Sequence, residues 1–456
     1  MTATRPAEEP PLARPGRATH LPFALLGAIQ VTLVFTLASI AVPLPAIGCR
    51  FGLDREELVL LSAAYGLAFA GLLLLGGRLA DRYGGRRALI AGLALFGAAS
   101  ALAPFAPGHG PLLAARFAQG AGAAVVAPAA MAVLRVLFAE RSAYRRATAT
   151  WGGLSMLGAT AGNLLAGIVS ALLSWRWALA APLPVTAAAL ALAPRVLPPA
   201  PAGTGRPAGL DVPGAVLATA GIAATSYGLV MTDARPWASA PVLVPTAAGA
   251  VLLVLFVRAE RRARDPLLPP GFLRDGRRAF GLTATGLTAA GTSTVFVLFS
   301  LHLQNGRGWS ALETSAAFLP FAAVLLVGAS GAGRLVARHG PAAVTAAGLA
   351  AGAAGLALLA SRGLDPDVPY AHGILPGFLL LPAGAAASFA GAAVLATDRV
   401  PAARTGLAGG LHNTAMEAGP TVGFAVLLAV GSDAASLAAA ALLFAATAPA
   451  VRRAGR

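Results

Sequence analysis

Arg116, Glu417 and His412 stand out because each falls inside a long apolar run of the chain. An ionisable group in such a run is costly unless it is paired, neutralised or turned to water, so it is a functional candidate by default. An arginine stays charged and offers a fixed fork of donors to an anion or a carbonyl. A carboxyl such as Glu417 can carry a proton or pair with a cation, or simply make a structural hydrogen bond as a neutral acid. His412 is a weaker proton-handling candidate, as are His302 at the end of an apolar run and His372 near the start of another. No two histidines stand at metal-ligand spacing, so no metal or other cofactor is expected. Gly328-Ala329-Ser330-Gly331 fits a Gly-x-Ser-Gly nucleophile pattern, with His372 or His412 as a base, which would be intramembrane serine hydrolysis. Four small residues in a row are also ordinary helix packing, and that reading ranks well ahead of an enzyme.

The elements that hold these residues follow from composition. Hydrophobic residues make up 57% of the 456 residues, charged residues 11%, and the mean hydropathy is +0.74. A soluble domain is about one quarter charged, so the main solvent here is lipid. Disorder is excluded because the apolar surface left bare would be far too large. The net charge of +16 does not come with a basic face on a soluble fold, so nucleic acid is not expected as a partner. Cys49 is the single cysteine, which excludes an internal disulfide and a thiolate cluster. Every basic residue counted in that charge is arginine. The absence of lysine excludes a P-loop and a lysine Schiff base, and with them an ATP motor in this chain.

A spanning helix needs about 20 mostly apolar residues. Fourteen runs qualify: roughly 21–45, 57–77, 88–106, 111–138, 147–173, 177–195, 212–232, 239–257, 279–303, 312–333, 342–360, 370–396, 405–430 and 433–450. With the N-terminus in the cytoplasm, 27 arginines fall on inner segments and helix ends and 6 on outer ones, with Arg116 inside a span. That asymmetry is the positive-inside bias, and one missed span would invert every later loop and destroy it. The predicted architecture is an all-α integral membrane protein of two six-helix bundles with two extra central helices. Its parts are a cytoplasmic tail (1–20), a first bundle (21–196), a linker with the extra pair (197–258), a cytoplasmic loop (259–278), a second bundle (279–450) and a short cytoplasmic tail (451–456). The basic N-terminal stretch lacks a cleavage-site pattern, so the first span is expected to be retained rather than removed as a signal peptide.

An internal repeat supports the two-bundle layout. Gly77-Arg78-Leu79-Ala80-Asp81-Arg82-Tyr83-Gly84-Gly85 follows the second span, and Gly333-Arg334-Leu335-Val336-Ala337-Arg338-His339-Gly340-Pro341 follows the tenth. Repeated halves around a central site are a transporter design.

The segment Gly77 to Arg87, which includes Arg86, resembles the signature loop of the major facilitator superfamily. Further segments resemble its fourteen-helix drug:proton antiporter branch. They are Ala115-Arg116-Phe117-Ala118-Gln119-Gly120-Ala121-Gly122 running to Pro128, Gly158 to Gly167 with Trp175-Arg176-Trp177, Leu301-His302-Leu303-Gln304 through Leu319-Pro320, and Gly406 to Gly423. The resemblance implies that Asp81 locks the cytoplasmic side by meeting a helix N-terminus in the other half, here near Thr405. It also assigns Arg116 to proton coupling or gating, against the alternative that this side chain snorkels to the outer surface. Four departures follow. Asn163 replaces the proline of the fifth-span motif, which otherwise keeps Gly158, Gly162 and Gly167. Thr36 stands where the family has a first-span acid, and Ala41 where it has an asparagine. Glu417 stands where the family more often has glutamine. Tyr65, Phe69, Tyr227, Phe296 and Phe299 are candidate cavity aromatics, with packing an equal alternative.

The function this implies is secondary active, proton-coupled export of drug-like or amphipathic small molecules by alternating access. The chain would be a monomer in a bacterial plasma membrane with both termini cytoplasmic, and protons, substrate and lipid its partners. A facilitator or differently coupled carrier of the same fold is the alternative that Thr36 and Asn163 prompt.

Overall fold

The computed structural model describes residues 17–454 apart from 41–42, 141–142, 145, 149, 200–210, 264–265, 267, 269–270, 310, 402–403 and 429–431, and between 152 and 173 it describes 154, 157–158, 162, 165 and 169. Every regular element among these residues is helical. Twelve helices among them are long and apolar enough to cross a membrane. The fifth expected span lies largely outside the described residues, and the thirteenth corresponds to a helix over Thr405–Leu428.

The first seven labelled helices are α1 (Arg17–Ala38), α2 (Leu44–Phe51), α3 (Arg55–Tyr83), α4 (Gly85–Leu102), α5 (His109–Leu137), α6 (Trp175–Ala180) and α7 (Leu183–Val196). A pair follows, α8 (Val212–Val230) and α9 (Ala240–Glu260). The remainder are α10 (Gly276–Leu301), α11 (Ala311–Ala317), α12 (Leu319–His339), α13 (Pro341–Leu358), α14 (Tyr370–Gly373), α15 (Leu375–Thr397), α16 (Thr405–Leu428) and α17 (Asp433–Ala454). One large cluster of buried apolar side chains draws on α1, α3, α4, α5 and α7, another on α10 to α17. A third, smaller one joins Leu74 of α3, Ala215 and Ala218 of α8, Phe256 of α9 and Leu407 of α16.

Four expected runs are not single helices, among them 177–195, which divides into α6 and α7, and 370–396, which divides into α14 and α15. The run 21–45 is not one helix: α1 ends at Ala38 and Leu44 opens the short α2. Pro43 and Pro45 explain the break, since proline cannot donate inside a helix but suits its first turn. The run 312–333 likewise divides into α11 and a helix that continues to His339, with Pro320 in the first turn of α12.

The largest shift concerns the repeat. The segment Gly77–Tyr83 is not a loop but the end of α3, a 29-residue helix begun by an Asp54–Glu57 capping box. A single residue, Gly84, separates α3 from α4, at φ 87° and ψ 139°. Gly340 alone separates α12 from α13, at φ 82° and ψ 155°. Side chains other than hydrogen rarely adopt such backbone angles, so both repeats need glycine at the same place for the same reason.

α9 turns Leu243, Val244, Val251, Val254 and Val257 outward. Exposed aliphatic side chains along a helix of this length suit a lipid-facing surface.

Candidate functional site

At the end of the molecule where Gly84 and Gly340 lie, Asp81 Oδ2 accepts a hydrogen bond of 3.1 Å from the backbone N–H of Leu407. Leu407 is the third residue of α16. Its N–H is one of those a helix leaves unpaired at its start, where the helix dipole also favours an anion. Small residues allow the close approach this contact requires. A Cβ placed on Gly410 would sit 2.8 Å from the Leu73 carbonyl of α3, and one on Gly409 3.0 Å from Met131 Cβ of α5. The start of α16 is therefore packed against the first half over two successive residues.

The arginines of this segment divide. Arg78 is buried and donates to the Pro266 carbonyl, in the connection between α9 and α10. Arg86 donates to the Pro194 carbonyl of α7 at 2.6 Å. Arg82 and Arg87 are exposed. In the second copy Gly333 is buried while Arg334, Arg338 and Ala337, the counterpart of Asp81, are all exposed.

Arg116 lies about two turns into α5, counted from its far end, and is fully buried. It does not snorkel. Its Nη1 donates to the Thr36 carbonyl at 3.1 Å and to Gln119 Oε1 at 3.0 Å. Gln119 Nε2 passes the chain of bonds to Ser100 Oγ at 3.0 Å. The guanidinium carbon lies 5.1 Å from the centre of the Tyr65 ring, a cation–π distance, and the Tyr65 hydroxyl donates to the Leu33 carbonyl at 2.9 Å. Nε and Nη2 of Arg116 have no hydrogen-bond partner among the described residues. Thr36, where an acid would stand, thus lies against Arg116 and offers it a backbone carbonyl. Its own hydroxyl is turned back onto the Thr32 carbonyl at 2.7 Å.

Between the halves, away from the Asp81 contact, lies a cavity of about 390 Å³. Its walls come from α1, α3, α8, α10, α12 and α16. Glu417 reaches it from α16 and is the one ionisable residue among the described ones that line it. Four hydroxyls accompany it: Ser62 of α3, Ser226 of α8, and Thr292 and Ser293 of α10. The volume lies within the range of pockets that enclose drug-sized molecules, and the mixture of apolar wall and few polar groups is typical of them.

Of the candidate aromatics, Phe296 lines the cavity, joined by Phe321. Tyr65, Phe69 and Phe299 are buried in the packed clusters instead, and Tyr227 is not a lining residue. His412 is buried lower on α16, with Nδ1 3.4 Å from the Thr285 hydroxyl. His302 accepts a bond from Arg307 Nε at 3.2 Å, and His372 is exposed. Gly158 and Gly162 approach α1 so closely that a Cβ would lie 2.6 Å from the Val31 carbonyl and 2.7 Å from that of Phe35. Asn163, Gly167 and Ala41 lie outside the described residues. Ser330 is exposed and donates to the Val327 carbonyl, one turn back on its own helix, at 2.7 Å. Among the described residues neither His372 nor His412 hydrogen-bonds to it, and the back-bonded hydroxyl fits a helix-packing residue.

Sequence reasoning missed the four cavity hydroxyls and the Gln119–Ser100 link. The available signal was polarity within apolar runs, which is weak for serine and threonine because such residues are common in membrane helices.

The Major Facilitator Superfamily model matches residues 24–424. The chain is 37% identical over 423 residues to the puromycin resistance protein of Streptomyces alboniger, covering 92% of this chain and 83% of that one. It is 40% identical over 411 residues to the cephamycin export protein of Amycolatopsis lactamdurans, covering 87% and 82%. Among solved structures, a human organic anion transporter superposes with a TM-score of 0.68 at 17% identity, covering 97% of this chain and all of that one. A proton:xylose symporter does so with a TM-score of 0.65 at 14% identity, covering 94% of each chain. These two show a shared fold, and the matches across nearly the full length show that this chain belongs to the Major Facilitator Superfamily of multi-pass membrane transporters.

Proposed function

We propose that the chain is a proton-coupled antiporter that exports drug-like or amphipathic small molecules across a bacterial plasma membrane. In this reading it has fourteen spans, two six-helix bundles flanking the pair α8–α9, and both termini in the cytoplasm. The observation that carries it is the pairing of a packed end, where Asp81 meets Leu407, with a cavity between the halves beyond it. That is the arrangement expected of one state of an alternating-access cycle, closed toward the cytoplasm and accessible from outside. The printed names of the two bacterial relatives, a resistance protein and an export protein, support the substrate class and direction.

Asp81 then acts as the latch. Its bond to Leu407 has to break for the cytoplasmic side to open, so transport includes a step that separates α3 from the start of α16. Glu417 is the acid placed to take up protons, since it faces the cavity. Arg116 braces α5 against α1 through the Thr36 carbonyl, and links to α4 through Gln119 and Ser100.

Thr36 also favours a second reading, a facilitator or differently coupled carrier, because no acid stands beside Arg116 on α1. Efflux of a puromycin-type substrate from cells, measured with and without a protonophore, separates the two. Collapse of efflux with the protonophore is expected, together with loss of pH dependence in Glu417→Gln. Flux indifferent to the protonophore overturns the coupling, and unchanged pH dependence in that variant removes Glu417 from it.

A further inference from the structure

A groove of about 690 Å³ runs over the outside of the second half. It shares no lining residue with the cavity between the halves. Its lining comes from α12, α13, α15 and α17, and α13 supplies the largest share. The groove exists because α13 is recessed. Every exposed residue of α13 between 343 and 357 is alanine, whereas α12 turns Leu326, Val327 and Leu335 outward. Two glycines set the depth. A Cβ on Gly348 would lie 2.5 Å from the backbone N of Ser388, and one on Gly384 2.4 Å from the Gly348 carbonyl, so α13 sinks onto α15. The lining on α13 runs from Ala343 to Ala351. That is about 12 Å along the axis, within the roughly 15 Å of one bilayer leaflet.

At the Gly340 end the chemistry changes. His339 closes α12 there and Arg452 stands in the last turn of α17, both exposed and both lining the groove. Arg334, Arg338 and Arg453 are exposed at the same end. No acid is among the described residues that line the groove.

A guest that fits has an apolar chain and an anionic head. Lipid chains are as apolar as the trough, so apolarity alone selects nothing and the charge decides. The fork of Arg452 matches a phosphate, and basic pockets between spanning helices suit acidic lipid headgroups. A free phosphate would leave the trough unused. A second copy of the chain, paired face to face about a two-fold axis along the membrane normal, would set these arginines against their own kind.

We propose that this groove is a site for an anionic phospholipid, with an acyl chain in the alanine trough and the phosphate at Arg452 and His339. The site goes beyond the transporter reading, and its test measures lipid contact rather than transport.

The test uses the full chain in nanodiscs of phosphatidylcholine, with Cys49→Ser to remove the one native thiol. Ala354→Cys, at an exposed site just past the groove on α13, carries a bimane fluorophore. Phosphatidylglycerol or phosphatidylcholine with brominated acyl chains is added at the same minor fraction, and the quenching compared. Brominated phosphatidylglycerol is expected to quench several-fold more than brominated phosphatidylcholine. Arg452→Gln should bring the two lipids to parity. Arg261→Gln, which removes the same charge from an exposed site just after α9, should leave the preference intact. Ala347→Leu, which fills the trough from an exposed position, should lower quenching by phosphatidylglycerol. Equal quenching by the two lipids with every arginine in place overturns the site, and so does an equal loss in Arg452→Gln and Arg261→Gln. Unchanged quenching in Ala347→Leu overturns the trough. A disulfide between two copies through the Ala354→Cys thiol in detergent would give this face to a second chain and overturn the lipid assignment.

Discussion

Gly77–Gly84 and Gly333–Gly340 are two copies of one segment, and they differ in a single consequential way. Both end a long helix, both turn on a lone glycine at nearly the same backbone angles, and both place arginines on the final turn. Only the first carries an acid, and only that acid reaches across to the other half, at Leu407. Its counterpart Ala337 is exposed, as are Arg334 and Arg338. The glycine turn therefore belongs to the fold of each half, whereas the hydrogen bond from Leu407 to Asp81 belongs to the relation between halves. Two copies of one turn thus carry a single hydrogen bond between the halves.

The largest effect expected from this contrast concerns Asp81. Replacing it by alanine removes a charge-assisted bond to a helix start, a contact of about 1.5–3 kcal/mol. Efflux in Asp81→Ala should fall at least about tenfold, because a latch weakened by that amount shifts the balance of states by such a factor. Adding Ala337→Asp should not restore it, since Ala337 is exposed and meets no helix start among the described residues. Rescue by Ala337→Asp would break the comparison.

The next effect tests the shared part. Gly84→Val and Gly340→Val should each destabilise the protein by about 1–3 kcal/mol, through backbone strain at positive φ. The check is the thermal unfolding midpoint in detergent, and the two losses should be alike. A large loss at Gly84 with none at Gly340 would mean that the turns are not equivalent.

The smallest effect sharpens the contrast among the arginines. Arg78→Ala should lower efflux several-fold, since it frees the Pro266 connection from the end of α3. Arg334→Gln and Arg338→Gln, both on exposed sites, should change stability by less than about 0.5 kcal/mol and leave efflux near wild type. Equal losses for Arg78 and Arg334 would make charge at the membrane face, rather than the buried bond, the relevant property.

Particular residues mark how far the chain could be read before its structure. Twelve of the fourteen expected spans correspond to described helices long and apolar enough to cross a membrane, legible because hydropathy is summed over neighbours, and the repeat was legible because its glycines and arginines recur in register. Of the network around Arg116, Gln119 was within reach, being one turn along the same helix. Thr36 was singled out as a missing acid, but its role as a carbonyl acceptor for a residue 80 positions away was not legible. Glu417 could be picked out as a costly charge, while Ser62 and Ser226, which share its cavity, could not. A hydroxyl in a helix can satisfy itself on the carbonyl one turn back, as Thr292 does at 2.9 Å, so its presence says nothing about where it faces.

The amino-acid sequence alone determined that this chain lives in lipid, that it is helical, and that one glycine- and arginine-bearing segment occurs in it twice. Each of these rests on interactions between residues close together in the chain, where apolar length, a proline or a glycine acts directly. The cavity, its acid beside four hydroxyls, the bond from Asp81 to Leu407 and the place of α8 between the halves all depend on which helix faces meet. Those faces belong to segments separated by up to several hundred residues, and no local rule specifies their pairing. The packing of the whole molecule does, through small residues such as Gly71, Gly409 and Gly410 that let the helices come close.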